Sequence, residues 1–172
     1  FYGGHNPTWS QQAIRQVLRD HARRCGRLGW IDLHTGLGPN GHGERIFAYR
    51  DDAQALARVR AWWGPEVTSI YDGSSTSAFL TGLMWTSIHD ECPHAEYTGI
   101  AMEYGTVPVL DVMNAIRAEQ WLNLHPETPA DKAAQIKAQM LAAFYTDTDA
   151  WKGQIISQAR QSMFQAVDGL SS

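Results

Sequence analysis

The sequence predicts an α/β domain, a mixed, mostly parallel sheet flanked by helices. Three observations predict it. Short apolar stretches of strand character alternate with stretches of helical period along the 172 residues. No low-complexity linker and no internal repeat interrupts that alternation. The balance of 44 % hydrophobic to 19 % charged residues suits a chain that buries a core rather than a disordered one.

The elements follow in order. Residues 1–7 read as loop, and Thr8-Trp9-Ser10-Gln11 fits a capping box. Ile14, Val17, Leu18, His21 and Cys25 then share one helical stripe that Gly26 should end. "RLGWIDLH" (27–34) reads as a strand with Trp30, Asp32 and His34 on one face and Ile31 and Leu33 on the other. "RIFAY" (45–49) reads as a second strand. Asp51 or Asp52 can cap a helix through about Trp63, which Gly64-Pro65 ends. "EVTSIY" (66–71) is strand-like, "DGSSTS" is a polar loop, and "AFLTGLMWTSIHDE" is compatible with either helix or strand. "TGIAMEYG" (98–105) is a further strand. Three helices close the chain, at about 108–124, at 129–145 after a Thr128-Pro129 cap, and at 149–168 before Gly169. Ala133, Ile136, Met140, Ala143 and Phe144 mark the inner stripe of the second.

Several function classes find no support. A net charge of −4 gives no electrostatic case for nucleic acid. The cluster Arg15, Arg19, Arg23, Arg24 and Arg27 reads as the solvated face of a helix. No apolar run is long enough to span a membrane. Cys25 and Cys92 form no CxxC, and free thiols in a reducing, cytoplasmic compartment are the expectation, with a disulfide between them as the alternative. Gly36-Leu37-Gly38-Pro39-Asn40-Gly41 matches G-x-G-x-x-G, but a dinucleotide site needs that motif to open a helix, and here "RIFAY" follows. His42/Glu44, His89/Glu91, His94/Glu96 and His125/Glu127 are H-x-E triplets without the P-C-x-x-C of a zinc deaminase. Neither G-x-S-x-G nor H-E-x-x-H occurs.

What remains is a pair. His34 stands at the carboxyl end of an expected central strand, the edge at which open α/β sheets bind ligands. Asp32 lies two residues earlier on the same face, placed to orient the imidazole. Glu103 lies near the end of another apolar strand, where a carboxylate is costly to bury unless it is paired, solvated or used.

"WIDLHTGLGPNGHGE" followed by "TGIAMEYGTVPVL", with the opening "FYGGHNPTWS", resembles the C-terminal half of the zinc carboxypeptidase superfamily. Within it, the similarity is to a branch of carboxypeptidase-like and succinylglutamate-desuccinylase-like bacterial proteins. The resemblance implies that residues 1–172 are the C-terminal part of a single zinc-carboxypeptidase-like domain. It implies that His34 is one protein ligand of a catalytic zinc, and that Glu103 is the general base and acid. Tyr71, in "SIYDGSS", resembles a mobile tyrosine that closes over substrate. The implied substrate is a small peptide or an N-acyl amino acid.

One departure qualifies this. The superfamily's other two zinc ligands come from an upstream H-x-x-E, and none of the seven histidines here has Glu three residues later. The expectation is therefore a metallohydrolase in a longer parent protein, with the 172 residues alone inactive or nearly so. An exposed sheet edge would favour self-association of such a piece. The alternative is a non-catalytic binding or structural module on the same fold.

Overall fold

The computed structural model describes residues 4–172, so the first three residues of the loop expected at 1–7 lie outside it. Helix α1 (Trp9–Val17) begins where the Thr8 hydroxyl accepts the Gln11 backbone N–H at 3.3 Å. It continues as a π-helical turn, Leu18–Ala22, and ends before Gly26. Fourfold spacing drifts off a straight row in an α-helix, and the wider π turn corrects that drift. Arg15, Arg19 and Arg23 consequently converge on Glu91 at 3.1, 2.9 and 3.2 Å. This corrects the expectation of a solvated arginine face, since three of the five side chains are held by one buried carboxylate.

Four strands form one mixed sheet in the order β1-β4-β2-β3. β1 (Arg27–Asn40) lies at the edge and pairs in parallel with β4 (Glu96–Gly105). β4 pairs antiparallel with β2 (Gly43–Phe47), and β2 pairs in parallel with the short β3 (Thr68–Ser69). β1 thus runs well beyond the expected end at His34. β3 is shorter than the expected 66–71 because side chains take its backbone donors. The Ser69 N–H donates to Ser74 Oγ and the Tyr71 N–H to Ser69 Oγ, in place of ladder bonds.

Helix α2 (Ala53–Trp63) is capped by the Asp52 carboxylate, which accepts from Gln54 and Ala55. The stretch left open between helix and strand is irregular through Leu83. It then forms a 3₁₀ turn (Met84–Ser87) and the single-turn α3 (Ile88–Glu91). α4 (Val109–Leu124), α5 (Ala130–Phe144) and α6 (Asp149–Ser171) match the three closing helices. Two details differ. Thr128 donates its hydroxyl to the His125 carbonyl, and Pro129 holds the cap position of α5. α6 passes through Gly169, where an added Cβ would lie 2.4 Å from the Trp62 ring; the glycine admits α2 against the helix instead of ending it.

The core lies on both faces of the sheet. Phe47, Ile100 and Met102 face Val59 and Trp63 of α2 and Ala166 of α6. Ile46, Tyr97 and Ala101 face Leu18 and Ala22 of the π turn, Trp85 and Ile88. Among the described residues no helix is long and apolar enough to cross a membrane.

Candidate active site on adjacent strands

The period of two along β1 puts Asp32 and His34 on the same face as Trp30, as read from the sequence. The register then sets His34 directly opposite Glu103 of β4, and Glu103 directly opposite Glu44 of β2. Two residues distant in sequence thus become neighbours, near the end of the continuous parallel pairing of β1 with β4 at Gly36 and Gly105. His34 Nε2 meets Asp32 Oδ2 at 2.9 Å. The bond to Asp32 raises the His34 pKa, partial burial opposes the rise, and the charges of Asp32 and Glu103 support it.

Glu103 differs from an ordinary surface acid. Burial pushes its pKa up, the Leu37 N–H and His34 pull it down, and the charges of Glu44 and Asp32 add to the rise, which prevails. The Leu37 N–H reaches Glu103 Oε1 at 3.1 Å because β1 bends after His34. Gly36 makes that bend at a φ of +140°, a value L side chains rarely adopt, and a Cβ there would lie 3.0 Å from the Phe144 ring. The run "GLGPNG" is therefore bent strand leading to β2. It opens no helix, so it lacks the N-terminus that a pyrophosphate would need.

His34 and Glu103 line a cavity of about 110 Å³. Its floor is apolar, with Ile46, Ala48, Ile70 and Ala101. Ser77, Leu80, Leu83 and Trp85 form the wall. A hollow of about 440 Å³ against α4 and α5 is larger, but Asp111 is the only ionisable residue lining it. Of these two cavities, the smaller one joins the reactive groups to apolar surface.

Tyr71 does not line that cavity. Its hydroxyl donates to the Tyr49 carbonyl, and its ring packs at 6.3 Å from Phe47 and 5.8 Å from Phe79. Glu44, which the sequence presents only as part of the His42/Glu44 triplet, is 7 % exposed. The signal for it was available: once β2 begins at Gly43, Glu44 shares the face of Ile46. Cys25 and Cys92 are both free thiols, Cys92 buried.

Among the described residues, no three His, Cys, Asp or Glu side chains are grouped to hold a metal ion. His34, oriented by Asp32, suits one metal ligand. A catalytic zinc needs two further protein ligands, which the described residues do not place beside it. They do not complete a zinc centre by themselves.

The chain belongs to the DUF2817 family, described as a protein of unknown function, whose model matches residues 1–158. That match takes in His34, Glu44, Tyr71 and Glu103. Among curated proteins and among solved structures nothing matches.

Proposed function

We propose that the protein containing this chain is a metallohydrolase that cleaves an amide bond, as a carboxypeptidase-like peptidase or an amidohydrolase of N-acyl amino acids. The observation that carries this reading is the alignment of Glu103, an acid of raised pKa, beside an imidazole held by Asp32 at an apolar cavity. A base with its pKa raised toward the working pH is suited to general acid–base work. Glu103 takes a proton from the water whose oxygen attacks the amide carbon, then delivers it to the leaving nitrogen as the C–N bond breaks. Asp32 fixes the His34 ring. Zinc is the proposed cofactor; His34 would be one of its ligands, and the ion when bound would polarise the amide carbonyl. Tyr71 would act only after its hydroxyl left the Tyr49 carbonyl.

Zinc analysis of the whole protein containing this chain tests the reading. About one zinc per chain is expected, as catalytic sites of this class hold, and His34→Ala should lose it. Absence of zinc in the wild type would favour the binding-module reading.

The two free thiols support a cytoplasmic setting. A small peptide or N-acyl amino acid is the proposed partner, with neither nucleic acid nor membrane. The edge position of β1 supports self-association of the 172 residues. A clean monomer by size-exclusion chromatography with light scattering would count against that.

A further inference from the structure

Glu44 is a buried acid with an unusual set of partners. Thr76 donates its N–H to both carboxylate oxygens, at 3.1 and 3.3 Å, and its hydroxyl to Oε2. The Thr68 hydroxyl donates to Oε1 at 2.5 Å. Among the described residues no arginine or lysine forms an ion pair with it. A buried carboxylate kept without a counter-ion is costly, and three of its four bonds here go to one residue and hold one piece of chain in place. That piece is the segment after β3: Thr76 is tied to the sheet, Ser77 follows it into the cavity lining, and Leu80 and Leu83 complete the wall. Phe79 and Leu80 in this segment remain 62 % and 51 % exposed, and Leu80 is also part of the cavity lining.

The cavity's polar groups are equally one-sided. Among the described residues that line it, His34 and Glu103 are the ionisable ones; Asp32 is bonded to His34 behind them, and Glu44 lies opposite Glu103 on the next strand. An anionic group entering would lose its hydration beside the Glu103 acid, with Glu44 and Asp32 as its acidic neighbours, whereas an apolar group would meet matching walls.

We propose that the Glu44–Thr76 contact latches residues 72–83 down as the apolar wall of the His34–Glu103 cavity, and that this wall makes the site select a neutral, apolar substrate group. The word substrate rests on the hydrolase reading; the selectivity itself can be read by binding alone.

The test uses N-acetyl-leucine amide and N-acetyl-glutamate amide, titrated into the chain and followed by NMR at the Trp85 indole N–H. The leucine probe should bind about tenfold or more tightly than the glutamate probe, the scale of pocket discrimination by a few apolar groups. Leu80→Asp, at an exposed position, should abolish that preference without lowering the melting temperature. Thr76→Val should weaken leucine-probe binding, and Thr76→Ser should restore it. Equal or tighter binding of the glutamate probe, no binding of either, or unaltered binding in a folded Thr76→Val variant would each overturn the proposal. Amide turnover by the zinc-loaded whole protein is scored separately. Turnover of acidic amides alone would sink this inference and leave the hydrolase standing, while apolar binding with no turnover would do the reverse.

Discussion

Around Glu91 three guanidinium groups converge, from Arg15, Arg19 and Arg23, with Arg15 also reaching Asp90 at 2.8 Å. Around Glu103 there is one backbone N–H and one imidazole. Burial pushes both acids toward protonation. At Glu91 the hydrogen bonds and charges of the arginines overcome it and leave the pKa below the usual carboxylate range. At Glu103 burial prevails, and Glu44 and Asp32 reinforce it. Glu91 has its oxygens committed and its charge neutralised, the condition of a structural tie. Glu103 keeps proton affinity and faces a cavity, the condition of a group able to exchange a proton.

Replacing each acid by its amide should separate these roles. Glu103→Gln cannot accept a proton, so amide turnover by the whole protein should fall by about 10²–10⁴-fold, the usual contribution of a positioned acid–base group. Glu91→Gln should leave turnover near wild type and lower the melting temperature by several degrees, because three guanidinium groups lose their shared counter-charge. If Glu103→Gln retained full turnover, the comparison would collapse.

Stability against pH should distinguish them again, more modestly and with opposite sign. Glu91 has a depressed folded pKa. Its contribution is present above the unfolded value of about 4.3 and is lost as pH falls through the folded value. Acid should therefore cost wild type more stability than Glu91→Gln. Glu103 has a raised folded pKa, so the folded state holds its proton to higher pH than the unfolded chain. That stability is present below the unfolded pKa and lost as pH rises through the folded one. At about pH 7, well above the unfolded glutamate value, Glu103→Gln should be the more stable protein. Denaturant midpoints across the acid range check both signs.

How much of this was legible in the sequence depended on distance along the chain. The Asp32–His34 pairing follows from a period of two within one strand, so it could be read directly. The α5 stripe was legible for the same kind of reason, and Ile136 and Ala143 are indeed buried. The partnership of His34 with Glu103 needed a register that no local pattern supplies; the residues could be nominated but not aligned. The Glu91 cluster needed a π turn, which leaves no simple sequence signal. Glu44 was missed because β2 starts two residues before "RIFAY", a boundary error that moved a buried acid into a loop. Gly169 misled for a tertiary reason, since contact with Trp62 overrode its tendency to stop a helix.

The smallest effect bears on how independent the two halves of the site are. His34 owes its raised pKa first to the hydrogen bond with Asp32, while Glu103 contributes only charge. Asp32→Asn keeps an oxygen to accept from Nε2 but removes the negative charge, so the ring should keep its orientation and lose the rise in proton affinity that the Asp32 charge supports. Partial burial, which opposes protonation, stays in place. The imidazole Cε1–H resonance should then titrate at lower pH than in wild type. The linked stability changes in the same sense: the ion pair's contribution is whole below the unfolded histidine value of about 6.5 and fades as pH rises through the higher folded value. Asp32→Asn should flatten that slope while leaving the acid-range behaviour due to Glu91 intact. An unmoved His34 titration in Asp32→Asn would show that Glu103, not Asp32, governs the imidazole, and would join into one coupled unit what the geometry presents as a held base beside a free one.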